Sequence, residues 1–216
     1  MRIDFVSDVS CPWCVIGLRS LQQAIDAIGP DLPVEIHFQP FELNPQMVPE
    51  GEDIGEHLAR KYGATEAQSA ATREAIRQRG EALGFTFRMD KRSRIYNTFD
   101  AHRLLHWAEE QGPGRQRALK EALFAAYFTD GENPGSHELL LRVATGLGFD
   151  AAAVQGVLDS NAFAAEVRAL EAQWQRAGIH SVPSLIINNR HLITGGQPPE
   201  VFEQALRQIA AEGEAA

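Results

Sequence analysis

Two cysteines occur in the chain, Cys11 and Cys14, with Pro12 and Trp13 between them. A pair at this spacing can exchange with a disulfide, help to bind a metal, or sit inert in a core, and its surroundings decide which. Ile3, Phe5 and Val6 before it read as a strand, and Leu18, Leu21, Ile25 and Ile28 after it recur at helical spacing. Cys11 therefore falls where a strand hands over to a helix, beside backbone N–H groups that lack an intrahelical partner. A thiolate there is stabilised by the helix dipole and those amides, and comparable thiols have pKa values of about 3.5 to 7.5 against about 8.5 for free cysteine. The thiolate is the form that attacks a disulfide sulfur. Cys14 lies on the same helical face within one turn and reads as the resolving thiol. Position alone makes Cys11 exposed and Cys14 shielded. Pro12 suits a first helical turn, where a missing N–H costs nothing, and Trp13 offers an apolar rim for a docking client.

The competing chemistries are weaker. A structural zinc needs two more ligands, and the seven histidines supply one helix-spaced pair, His102 and His106. No metal is assigned. Inert core cysteines would sit inside an apolar stripe, whereas these open a helix. Asp8 works against the reading, because a carboxylate near Cys11 raises the thiol pKa and opposes the dipole.

The elements that position the pair follow from periodicity. The first helix ends at Gly29-Pro30, and Val34, Ile36 and Phe38 then alternate with polar residues, which makes a βαβ unit with parallel strands. From about Gly51 to Gly178 the pattern is helical with no strand, punctuated by Gly and Pro clusters such as Gly112-Pro113-Gly114. Its clearest helix puts Phe163, Val167, Leu170, Trp174 and Ala177 on one packed stripe. Ser184–Ile187 and His191–Thr194 flank Asn188-Asn189-Arg190 and read as a hairpin, since Asn tolerates positive φ. A last amphipathic helix starts at Pro198-Pro199 and carries Val201, Phe202, Ala205, Leu206 and Ile209. The expected organisation is an α/β part at 1–50 and 179–216 interrupted by a helical insertion at 51–178.

Composition narrows the class. The 216 residues, 44% hydrophobic, can bury a sizeable core. The net charge of −9 has no runs of like charge, so no nucleic-acid footprint is visible. Two cysteines exclude a secreted disulfide framework, and no apolar run suits a bilayer. With no signal-peptide pattern at its start, the chain is expected to be cytoplasmic, without membrane partners.

Several separated segments, in order, resemble one known family. They are Asp8-Val9-Ser10-Cys11-Pro12-Trp13-Cys14-Val15-Ile16-Gly17, Pro40-Phe41-Glu42-Leu43-Asn44-Pro45, Asn97 to Leu104, Glu121 to Phe128, Gly178 to Ser184 and Gly195-Gly196-Gln197-Pro198. Together they resemble the DsbA-like thioredoxin superfamily, and within it the FrnE-like branch without a signal peptide. The resemblance implies a thioredoxin-like fold with a large helical insertion, and a thiol-disulfide oxidoreductase activity. It further implies a cis peptide bond before Pro183, which from sequence alone is only a strand-initiating proline, with the backbone of Val182 free to pair with substrate. It places Asn97, His102 and Gln197 as pocket candidates, although His102 can equally be a helix-packing residue.

The same resemblance supplies the rival activity. Relatives of 2-hydroxychromene-2-carboxylate isomerase and kappa-class glutathione transferase type carry Ser at the position of Cys11. The Cys pair here favours redox chemistry, with protein or small-molecule disulfides as partners, no bound cofactor, and glutathione as a candidate co-substrate. A non-catalytic chaperone or metal-binding module is the third class, and a homodimer is left open. The helical insertion is expected to roof the cleft with Phe99, His102 and Trp107 and to take no part in thiol exchange.

Overall fold

The chain begins with β1 (Arg2–Ser7), α1 (Pro12–Ile28) and β2 (Glu35–Pro40). There follow β3 (Glu52–Asp53), α2 (Ile54–Tyr62), α3 (Glu66–Ala82) and β4 (Arg94–Ile95). Five more helices come next: α4 (Phe99–Glu110), α5 (Arg115–Ala125), α6 (His137–Gly146), α7 (Ala151–Leu158) and α8 (Ala164–Arg176). The hairpin β5 (Ser184–Ile187) and β6 (His191–Thr194) leads into α9 (Pro199–Glu214). This is a computed structural model that describes residues 1–214, so the last two residues of the expected 179–216 segment lie outside it.

β1 is buried along all but its first residue, as a strand with neighbours on both sides and cover on both faces must be. It pairs in parallel with β2, Phe5 opposite Phe38, and antiparallel with β5, Phe5 opposite Leu185. The sheet order is β2-β1-β5-β6. α1 and α9 pack on one face, where Ile3, Phe5, Leu185 and Ile187 meet Leu18, Leu21, Phe202 and Leu206. Each such side chain contributes about 1.5–3 kcal/mol when fully buried. α1 stops where expected, because Gly29 turns the chain at φ 80° while its amide caps the Ile25 carbonyl. Asn188 and Asn189 take φ of 50° and 56° in the hairpin loop.

Three sequence expectations need correction. The insertion does hold strands, since β3 and β4 pair antiparallel through Glu52–Ile95 and Asp53–Arg94. Two residues are too few to show an alternation. The stripe on α8 is shorter than expected: Phe163 sits at the N-cap with φ 61°, Ala177 follows the helix, and the buried positions are Val167, Glu171 and Trp174. On α9, Val201 is exposed while Phe202, Leu206 and Ile209 are buried.

The core does not respect the expected boundaries. Cys14, Val15 and Leu18 of α1 share one apolar cluster with Ile76, Phe85, Phe87, Phe124, Tyr127 and Phe128 of the insertion. A second cluster, around Leu104, Leu119, Leu140 and Val154, belongs to α4–α7 and touches the sheet half through Val9. After Ala125 the backbone of α5 widens into a π-helical turn, Ala126–Asp130, which delivers Tyr127 and Phe128 to the first cluster.

Candidate active site

Cys11 is the N-cap residue of α1, extended at φ −94° and ψ 112°, with Pro12 in the first helical turn. Its amide donates to the Asp8 carbonyl at 3.2 Å, and its carbonyl accepts from the Cys14 amide at 3.1 Å. Both cysteines are free thiols. The Cys11 thiol donates to the Val182 carbonyl, Sγ to O 3.6 Å, and the Val182–Pro183 peptide is cis. Cys14 is fully buried, but Cys11 is only 3% exposed, contrary to the reading from position. A bare helix end leaves its cap open, whereas Trp13, Arg92 and Val182 close around this one at the floor of a cleft. Burial, then the adjacent Cys11 sulfur, push the Cys14 thiol well above its ordinary value, against a pull from Lys120.

The cleft has a volume of about 530 Å³. Trp13, Ile54, Leu58, Tyr62, Ile76 and Met89 give it apolar walls. His57, Arg73, Arg92 and His180 line it too, and no Asp or Glu does. In a chain of net charge −9, that exclusion leaves Arg73 and Arg92 as the permanent charges of the cleft. Arg92 is held over the rings of Tyr127 and Phe128, 4.8 and 5.0 Å from their centroids, and donates to the Ser10 carbonyl at 3.4 Å. Arg79 similarly stacks on Trp13, 5.4 Å from its centroid.

The roof is therefore α2 and α3, and the residues expected there lie elsewhere. Phe99 is covered by Arg168 at 3.8 Å, and Trp107 packs on Phe149, centroids 5.3 Å apart. Asn97 donates to the Met47 carbonyl at 3.4 Å and accepts from the Phe99 amide at 2.9 Å, organising the start of α4 outside the cleft. Gln197 donates to the Thr194 carbonyl at 2.8 Å and does not line the cleft either. Its neighbour Gly196 lets the chain pack closely on the motif, since a Cβ there would stand 3.0 Å from the Trp13 carbonyl oxygen.

His102 is 2% exposed and lies behind the motif, its Nε2 3.5 Å from the Asp8 carboxylate. Asp8 is itself fully buried and accepts from the Ser10 amide (3.1 Å), the Ser10 hydroxyl (2.9 Å) and the Leu43 amide (2.7 Å). Burial drives its pKa upward, but the His102 imidazole and the amides of Leu43 and Ser10 outweigh that and hold it at about 2. The charge that sequence reasoning counted against Cys11 is thus spent on its own partners. His102 and His106 line a common small cavity, and no cluster of three or more His, Cys, Asp or Glu is placed to hold a metal among the described residues.

Sequence reasoning missed two charged positions behind the motif. Lys120 on α5 is 1% exposed, and burial lowers its amine to about 8 despite the Cys14, Asp8 and Cys11 charges that pull the other way. A signal existed, because Gln116, Lys120, Leu123, Phe124 and Tyr127 share one helical stripe, and a lysine on an apolar stripe is buried unless the helix rotates. Glu42 and Glu171 form the second position, bridged by Arg168, which bonds to Glu42 and sits 2.8 Å from Glu171. Burial raises both carboxyls, and their mutual charge raises Glu42 further.

Comparison with known proteins agrees with this fold. A probable DsbA oxidoreductase of Streptomyces coelicolor is 35% identical over 98% of this chain and 91% of its own, with a TM-score of 0.91. A 2-hydroxychromene-2-carboxylate isomerase superposes at 0.77 with 15% identity over 100% and 98% of the two chains. The cytosolic disulfide reductase DsbM of Pseudomonas aeruginosa, solved with GSH, superposes at 0.67 with 15% identity over 98% and 100%. The last two likenesses speak to fold alone. The model of the DSBA-like thioredoxin domain matches residues 2–207, so this chain, with its paired thiols at the mouth of α1, belongs to the DsbA-like thioredoxin family.

Proposed function

We propose that the protein is a thiol-disulfide oxidoreductase in which Cys11 attacks and Cys14 resolves. The observation that carries this is the pairing of an N-cap thiol on the cleft floor with a second thiol sealed one turn behind it. The Cys11 thiolate attacks one sulfur of a client disulfide, forms a mixed disulfide and expels the first client thiolate. Cys14 then attacks the Cys11 sulfur, closes the Cys11–Cys14 bond and expels the second. The client gains two electrons and the pair loses two. Reduced glutathione suits the return step as a co-substrate, because a cleft lined by Arg73 and Arg92 and by no carboxylate favours its two carboxylates. A cytoplasmic thiol pool would keep the pair reduced, which favours reductase or isomerase flow. No bound cofactor is needed.

Insulin reduction with a glutathione-recycling system tests the reading. Cys11→Ser abolishes it, and Cys14→Ser accumulates mixed disulfide without turnover. An isomerase reading takes over if the parent never reduces a disulfide while Cys11→Ser keeps glutathione-dependent isomerase activity.

A further inference from the structure

We propose that Arg92 is the docking point for a carboxylate carried by the client within a few bonds of the sulfur that Cys11 attacks, so that acidic disulfides are the preferred substrates. The inference deepens the thiol-exchange reading and rests on it.

Two arginines are buried among the described residues, and their surroundings differ. Arg103, 3% exposed, bonds to the Asp100 carboxylate at 2.9 Å and to the carbonyls of Val157, Ser160 and Ala162 at 2.8, 2.9 and 2.8 Å. Arg92, 9% exposed, has no such carboxylate. Its side chain donates to the Ser10 carbonyl at 3.4 Å, and its Nε is buried with no hydrogen-bond partner. A buried cation without a counter-ion is costly. A buried amine can shed its proton, but a guanidinium does not, so the counter-ion of Arg92 has to arrive from outside.

That charge is also held still. The π-helical turn Ala126–Asp130 sets the Tyr127 and Phe128 rings beneath the guanidinium, 4.8 and 5.0 Å away. The segment that carries Arg92 is fastened to the same turn, because the Arg88 amide donates to the Phe128 carbonyl at 2.8 Å and the hydroxyls of Tyr127 and Thr129 donate to the carbonyls of Arg94 and Thr86 at 2.9 and 2.7 Å. Gly131 permits this approach, since a Cβ there would stand 2.7 Å from the Lys91 carbonyl oxygen. A side chain gripped in this way loses little further freedom when an anion docks.

The position of Arg92 names the carrier of that anion. The Ser10 carbonyl belongs to the peptide that joins Ser10 to Cys11, so the guanidinium is anchored one residue from the nucleophile, and both line the cleft. A client sulfur reaches Cys11 through that cleft, whose walls hold no Asp or Glu to occupy Arg92 first. A carboxylate attached close to the sulfur can then make charge-assisted hydrogen bonds to the guanidinium while the sulfur meets Cys11.

Single-turnover oxidation of the reduced protein by three small disulfides of similar size tests this: dithiodipropionate with two carboxylates, bis(hydroxyethyl) disulfide with no charge, and cystamine with two ammonium groups. Each rate is divided by that of the same disulfide with dithiothreitol, which removes intrinsic reactivity. The parent is expected to favour dithiodipropionate over the neutral disulfide by about 30-fold, the scale of a hydrogen bond to a charged group, with cystamine slowest. Arg92→Met should lower that preference about tenfold and leave the neutral disulfide within about twofold of the parent, which also shows that the variant is folded. The inference is overturned if the parent shows no preference, if Arg92→Met keeps it, or if Arg92→Met slows all three disulfides alike, as a packing residue would. A parent that reacts with none of the three would instead refute the thiol-exchange reading beneath it.

Discussion

The front and the back of the Cys11–Cys14 motif are built from the same insertion by opposite means. In front, α2 and α3 raise a wall of apolar side chains with basic residues among them, and carboxylates are kept out. Behind, α4, α5 and α8 bring His102, Lys120 and Glu171 into a dense set of buried charges with Asp8 and Glu42. An open cleft can leave its charges to water, but the rear cannot, so each buried group there needs a partner, a shifted pKa, or both. One insertion thus lines the cleft on one side and packs buried charge on the other.

Breaking the rear should cost most. Asp8→Ala leaves His102 without its carboxylate and the Ser10 and Leu43 amides without an acceptor, and an unfolding midpoint in urea should register a loss of about 3–5 kcal/mol. The parent should show the same dependence in acid. Because the folded pKa of Asp8 lies below its ordinary 3.8, the stability it contributes is complete above that value and is lost as pH falls toward about 2. An Asp8→Ala protein of unchanged stability would place the rear charges in solvent and dissolve the contrast.

At the boundary between the two sides, Ile76 on α3 is 5% exposed yet forms part of the cleft wall. Ile76→Ala should cost about 2–3 kcal/mol, at the lower end for a buried isoleucine because the cleft can admit water, and should widen the range of disulfides accepted. Purely at the front, Arg73→Ala should raise KM for an anionic disulfide about tenfold, near 1.4 kcal/mol, with stability within about 0.5 kcal/mol of the parent. Equal KM changes for anionic and neutral disulfides would show that the cleft selects by shape and not by charge.

Legibility from sequence follows the same divide. α1 could be read because its apolar spacing is punctuated by Gly29-Pro30, and the hairpin because Asn188 and Asn189 permit a left-handed turn. The roof could not, since Ile54, Leu58 and Ile76 meet Cys11 only through packing across more than forty residues of chain. His102 was read as an even choice between pocket and packing, and its place behind Asp8 depends on how α4 is docked against the β1–α1 turn. Lys120 escaped because a lone lysine between Leu119 and Glu121 looks like surface until the stripe around it is counted. β3 and β4 left no period to detect.

The pairing of β1 with β5 sets an order of assembly. Ile3 lies opposite Ile187, so the centre of the sheet joins a segment made early to one made much later in the same chain. During synthesis the helices of the insertion can gather around Leu104 and Leu119 by contacts within their own stretch of chain, while β1 waits for its second partner, β5. Cys11 emerges well before Val182 and meets its carbonyl only when that later segment arrives. A newborn chain therefore carries the Cys11 thiol without its Val182 cover until that later segment is made, and the stretch of chain that brings β5 to the sheet also covers the thiol.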